Sequence, residues 1–376
     1  MRRHPVPGKS LRDRGRGAIW RRTAFCLRPS SEIELVPGTA AYLVHSTVRV
    51  RGPLNVELLR AAVDATAARH DSLRMRFTEN ADGEPVVHVA SDVRVPVTVT
   101  AAPGEADARE LVATSVRTPF DLDLDVAPLV RVLVVRLADQ EHLVHLAMHH
   151  IVSDGWSLTL LLDEIAATYG ALRDGTPAPP APAVDYLEYA AWQRDRLDGP
   201  ATGDGFAYWT RTLAGVPALE LPTDRPRPAV QSYAGGTHRF ALDADLTDGL
   251  RRLSRAHRAT LYTTLLTGLQ AVLFRHSGQR DFAIGSPVAG RVVPELENLV
   301  GLFVNTLALR AHLSPVAATA DTARVARRLP VRSCVAFALV AGIRPRDCDT
   351  LRMRDLRTAE PDQPVDQLDA GTVAFA

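Results

Sequence analysis

Along residues 41–50 (AYLVHSTVRV) apolar and polar positions alternate, so that Tyr42, Val44, Val48 and Val50 share one face. That is the period of a half-buried strand. The period then lengthens. From Asn55, a residue type suited to an N-cap, to Arg69, the apolar positions Val56, Leu59, Ala62 and Val63 recur three and four apart and predict a helix. Leu73–Phe77 reads as a strand. Residues 128–137 and 142–150 read as two apolar strands around the turn Ala138-Asp139-Gln140-Glu141, a hairpin. A strongly amphipathic helix is expected from Ser157 to Leu172, with Leu158, Leu161, Leu162, Ile165, Tyr169 and Leu172 as its buried stripe.

A proline-rich stretch follows at 174–184 (DGTPAPPAPAV) and reads as a linker and domain boundary. The second half opens with an aromatic helix holding Tyr186, Tyr189 and Trp192. Helices at 245–256 and 259–275 and strands at 281–287 and 300–310 come later. No repeat of fixed short period is present. Alternating strands and helices in two halves indicate an α/β (α+β) layered fold. The division expected is an atypical basic segment at 1–36, a first lobe at 37–178, a second at 179–312 and an atypical tail at 313–376.

Composition narrows the class. The chain has 376 residues, 46% hydrophobic and 23% charged, as in ordinary soluble proteins. No run of about 18 apolar residues exists, and no apolar stretch of secretory type follows the basic N-terminus, so a cytoplasmic protein without a membrane span is expected. The net charge of +1 is unevenly spread. Residues 1–36 carry nine Arg/Lys against three acids, and 313–376 nine Arg against eight acids, which leaves 37–312 at −6. An acidic middle argues against nucleic-acid binding, which needs a basic footprint. Cys26, Cys334 and Cys348 all lie in the two ends, without zinc-type spacing.

The densest polar cluster is His149-His150-Ile151-Val152-Ser153-Asp154-Gly155, between a strand and a helix. A strand end followed by a helix N-terminus is a good place for a catalytic group. Adjacent strand residues point to opposite faces, so the two histidines are poorly placed to share a metal ion, and no third ligand at helical spacing appears. With no GxSxG elbow and no nearby cysteine, a covalent nucleophile is not expected. One histidine would act instead on a proton of a bound substrate, as a general base. Histidines beside apolar strands more commonly fill cores, the reading that suits His142 and His145.

Met148–Ser157 (MHHIVSDGWS) resembles the HHxxxDG motif of condensation domains from nonribosomal peptide synthetases, within the chloramphenicol acetyltransferase-like superfamily. Arg69–Phe77 (RHDSLRMRF) resembles the family's RHExLRTxF, Tyr186–Trp192 (YLEYAAW) its YxDYAxW, and Val300–Arg310 (VGLFVNTLALR) its VGxFVNT. The resemblance covers about 37–312.

It implies two acyltransferase-like lobes in a V with a tunnel between them. It also implies carrier protein domains that deliver thioesters on phosphopantetheine from a donor and an acceptor side, with adenylation and other synthetase proteins as further partners and no cofactor or metal bound by this chain. The acceptor amine attacks the donor thioester carbonyl and forms an amide. By the same resemblance His150 stands at the tunnel centre, as base or as positioner of the amine. Asp154 is structural and pairs with an Arg, for which Arg291 in Gly285–Arg291 (GSPVAGR) is the candidate, while His149 is structural. Gly155 offers an amide to developing oxyanion charge, and Asn305 is a contributor from the second lobe or a strand-packing residue. Arg69, His70 and Arg74 are expected to hold the helix–strand junction, and Trp156 and Ser157 to start and anchor the helix.

The family's first motif, SxAQxRxWxL, has no match in Ala18–Ser31, and its HQDxPFE and RDxSxxPL motifs have none in 313–376. An incomplete second lobe is therefore expected, arising from shifted reading frames, a rearranged gene or a truncation. The alternatives are a standalone acyltransferase using coenzyme A or acyl carriers, and a non-catalytic remnant or carrier-binding module. An epimerisation domain shares HHxxxDG, but RHDSLR and FVNTLALR resemble ordinary condensation domains more.

Overall fold

The computed structural model describes residues 39–79, 85–120, 128–197, 203–226, 228–229 and 240–313. The basic segment 1–36, the tail beyond 313 and the three cysteines lie outside the described residues. In chain order the elements are β1 (Leu43–Arg51), α1 (Val56–Arg69), β2 (Met75–Glu79), β3 (Pro85–Val89), β4 (Val97–Ala101), α2 (Glu105–Arg117), β5 (Val130–Ala138), β6 (Glu141–His149) and α3 (Gly155–Asp174). They continue with α4 (Tyr186–Leu197), α5 (Gly203–Leu213), α6 (Ala244–Ala256), α7 (Leu261–Ser277), β7 (Asp281–Val288) and β8 (Asn305–His312).

The chain forms two compact units. Among the described residues the first comprises 39–197 and 289–304, and the second 203–288 and 305–313. The centre of the first unit is a four-stranded sheet in the order β1-β6-β5-β4, with β4 parallel to β5 and the other pairs antiparallel. β6 is an inner strand, and His142–His149 are all buried. Its side chains alternate between the two faces. Val144, Leu146 and Met148 pack with Leu59 and Val63 of α1 and with Leu158, Leu161 and Ile165 of α3. On the other face Leu143 meets Val135 and Ala108 of α2.

Local chemistry sets the element ends. The Asn55 side chain accepts from the amides of Glu57 and Leu58 and starts α1. Asp154 caps α3 in the same way, so that helix begins at Gly155, two residues before the start expected from periodicity, and it ends at Gly175 in the left-handed region. Leu172 is 42% exposed and does not belong to the buried stripe.

Three expectations are corrected. The strand read at Leu73–Phe77 starts only at Met75, after a short 3-10 turn over Asp71–Arg74 that buries Ser72 and Leu73. The strand read at 300–310 starts at Asn305, and residues 300–304 are not strand. The boundary placed between 178 and 179 falls inside the first unit, because Tyr186 and Tyr189 of α4 are buried there with Phe303, Leu299 and Leu296.

In the second unit α6 and α7 pack together, and the β7–β8 ribbon buries Phe282, Ile284 and Ala311 against Leu269 and Leu273. Arg310 grips the Asp281 carboxylate with two nitrogens at 2.7 and 2.5 Å. Among the described residues no helix is long and apolar enough to cross a membrane.

Candidate active site

β6 carries the chain to His149, a one-turn 3-10 segment covers His150–Val152, and α3 begins at Gly155. His149 closes the strand and His150 opens the turn. His149 is buried, with its ring edge-on to Phe120 at 6.4 Å between centroids. Its Nδ1 accepts from the Ile151 amide at 3.1 Å, so the neutral ring carries its proton on Nε2. Burial, with a smaller effect from neighbouring His150, pushes its pKa down to about 4.

His150 is only half-buried. Its amide donates to the Tyr42 carbonyl at 2.7 Å, tying the turn to the start of β1. Its ring Nδ1 lies 2.7 Å from the Ser153 carbonyl. A carbonyl only accepts, so Nδ1 carries the hydrogen and the lone pair of the neutral ring sits on Nε2. This is the tautomer in which Nε2 can serve as a base or hydrogen-bond acceptor.

Asp154 is fully buried, and its carboxylate has three donors from three places in the chain. Oδ1 accepts from the Ser157 amide at 2.8 Å and from Arg291 Nη2 at 3.4 Å, and Oδ2 accepts from the Phe303 amide at 3.1 Å. The Arg291 side chain is 2% exposed. Burial pushes its pKa down, and Asp154 partly restores it. Its Nη1 donates to the carbonyls of Leu296 and Leu299, and its guanidinium lies 4.0 Å from the Phe303 ring centroid and 5.6 Å from that of Trp156. Gly155 opens α3, where the amides of the first turn present partial positive charge. His149, His150, Asp154, Gly155 and Arg291 thus meet in the first unit. Asn305 belongs to the second unit, where it opens β8, is exposed and accepts from the Thr306 amide.

The structure adds residues that the reading of the sequence did not place at the site. Ser157, read only as a helix anchor, bonds both Gly301 and Arg291. Ser72 donates to the Val300 carbonyl at 2.7 Å and Tyr186 to the Leu302 carbonyl at 2.6 Å. The available signal was the proximity of small hydroxyl residues to the RHDSLR and DGWS stretches, which does not by itself name a partner. Arg69 and His70 share Glu164, at 2.6 Å each, and so join α1 to α3. Arg74 bonds Asp71 and the Ala90 carbonyl. Among the described residues no group of three or more His, Cys, Asp or Glu is placed to hold a metal ion.

A four-stranded sheet flanked by helices, with paired histidines at the end of an inner strand and a capped helix directly after, defines a chloramphenicol acetyltransferase-like fold carrying its HHxxxDG motif. More narrowly, the chain belongs to the condensation domain family, whose model matches residues 33–331. It is 42% identical over 291 residues to the phosphinothricin tripeptide synthetase PhsC of Streptomyces viridochromogenes, covering 75% of this chain and 26% of that protein. It is likewise 42% identical over 279 residues to the malpibaldin synthetase of Mortierella alpina, covering 73% of this chain and 5% of that protein. The chain therefore spans a small part of these relatives. Among solved structures it is similar to the first condensation domain of the CDA synthetase, with a TM-score of 0.68 at 25% identity over 86% of this chain and 75% of that one. It is also similar to the X-domain from teicoplanin biosynthesis, with a TM-score of 0.71 at 26% identity over 89% and 76%.

Proposed function

We propose that this chain is the amide-forming unit of a nonribosomal peptide synthetase, joining two carrier-bound thioesters in the cytoplasm. Donor and acceptor reach it on the phosphopantetheine arms of carrier domains, with adenylation domains upstream of them. The observation that carries the reading is the His150 turn. Nδ1 is committed to the Ser153 carbonyl, which orients Nε2 as the acceptor for a substrate proton.

In the reaction the acceptor amine attacks the donor thioester carbonyl. The C–N bond forms, the C–S bond breaks, and the donor's phosphopantetheine thiolate leaves. His150 Nε2 accepts the ammonium proton as the tetrahedral intermediate forms and returns it to the departing sulfur, so no net proton is lost. The amides at the start of α3, beginning with Gly155, supply partial positive charge for the oxyanion. Asp154, Arg291 and His149 hold the turn and do not touch substrate.

The test is amide formation by the full chain with a donor and an acceptor thioester, each loaded on a carrier domain. His150→Ala is expected to reduce turnover by a factor of about 10²–10⁴, the usual contribution of a positioned acid–base group. His149→Ala is expected to act through stability. Full turnover by a folded His150→Ala protein would overturn the assignment.

A further inference from the structure

Residues 289–304 join β7 to β8, both in the second unit, yet they pack within the first. They form a strap with little regular structure, and side chains from distant parts of the chain hold its backbone. Ser72 takes the carbonyl of Val300, Trp156 that of Glu297 and Tyr186 that of Leu302, while Asp154 takes the amide of Phe303. Ser157 holds Gly301 in both directions. Its hydroxyl donates to the Gly301 carbonyl at 2.8 Å and accepts from the Gly301 amide at 3.1 Å.

The same hydroxyl accepts from Arg291 Nη2 at 2.9 Å. A hydroxyl has one hydrogen to give and two lone pairs, so the buried Ser157 is fully used. The nitrogen that reaches Ser157 at 2.9 Å is 3.4 Å from Asp154 Oδ1, at the weak end of the hydrogen-bond range. Of the two contacts of this nitrogen, the charge-assisted bond to Ser157 is the shorter.

We infer that Ser157 is a positioning residue for His150. It fixes Arg291 and the strap, these fix the Asp154 carboxylate, and Asp154 fixes the peptide whose carbonyl, that of Ser153, orients the His150 ring. The chemical step invoked is that of the proposed function, and the experiment separates the two claims.

The full chain labelled with ¹⁵N-histidine is studied by NMR, with His150 assigned from the spectrum of His150→Gln. In the wild type the neutral ring should carry its proton on Nδ1. Ser157→Ala should move His150 toward a mixture of tautomers. Ser72→Ala removes another buried hydroxyl anchor of the strap without touching Arg291 or Asp154, and should change His150 much less than Ser157→Ala does.

With carrier-bound thioesters, Ser157→Ala should lower kcat about tenfold with KM within about twofold, the pattern of a lost transition-state interaction. Ser157→Cys, similar in size and with a weak donor and acceptor, should restore part of both readouts. An unchanged His150 in folded Ser157→Ala, or an equal change in Ser72→Ala, would overturn the inference. If neither Ser157 variant folds, the residue is structural only and the inference fails. If the wild type makes no amide while the His150 contrast holds, the catalytic reading fails and the positioning role stands.

Discussion

The rings of His45 and His145 stand 5.4 Å apart, on strands β1 and β6, facing away from α1 and α3. His145 is fully buried, bonded through Nδ1 to Thr47 Oγ1 at 2.9 Å, and its Nε2 has no partner among the described residues. Burial, then His45 and Arg131, push the His145 pKa down to about 3, and burial lowers that of His45. Both are therefore neutral in the folded protein, while in the unfolded chain each protonates near 6.5.

A depressed folded pKa means that the unfolded state binds protons first as pH falls. The stability tied to these neutral rings is complete above about 6.5 and is lost progressively as pH falls toward the folded value of about 3 for His145. Urea unfolding at stepped pH should show the midpoint falling over this window. His145→Leu should flatten the curve. An identical slope in that variant would refute the assignment.

The Glu164 carboxylate holds Arg69 and His70 together, each at 2.6 Å, with Thr168 and Thr66 completing the Arg69 contacts. Burial alone would raise its pKa, but the bonds and charges of His70 and Arg69 bring it below the ordinary range. Glu164→Ala leaves the half-buried Arg69 cation without its carboxylate partner. It should cost about 1–3 kcal/mol in urea unfolding, between the penalties for surface and fully buried pairs. A loss below about 1 kcal/mol would place this cluster with surface pairs instead.

Much of the first unit was legible because its elements follow simple periods. Asn55 with Val56, Leu59 and Val63 marks α1, and the hairpin and α3 follow from apolar runs around a turn and a cap. The HHxxxDG stretch was legible because it is contiguous, and Arg291 because it sits in a motif of its own. The segment from β3 through α2 offers weaker signals, since β3 and β4 are five residues each and α2 buries only Ala108. The strap misled for another reason. The apolar run Leu302-Phe303-Val304 leads straight into β8 and reads as part of the same strand, but Ser72, Ser157 and Tyr186 satisfy the backbone of 300–302 and no neighbouring strand is needed.

Gly301 shows how closely the strap is fitted. A Cβ added there would collide with Cδ2 and Cε2 of the buried Tyr186 ring. Gly301→Ala should destabilise the protein by about 1–3 kcal/mol through overpacking. Tyr186→Leu in the same chain should recover part of that loss, although it sacrifices the bond to the Leu302 carbonyl. Additive effects of the two substitutions would show that the ring is not what excludes the methyl group.

Gly290 is constrained differently, and the comparison separates crowding from backbone geometry. It adopts φ +68°, in the left-handed region, and a Cβ would collide with the Phe303 carbonyl oxygen. Asn and Asp tolerate that conformation better than other side chains, but neither avoids a clash with backbone. Gly290→Asn and Gly290→Ala should therefore both lower the urea midpoint, and no second substitution at a side chain should rescue either. The next residue is Arg291, so the damage should reach Asp154 and the turn that bears His150. If Gly290→Asn were as stable as the wild type, φ alone would constrain this position, and the strap would have room to move away from Phe303.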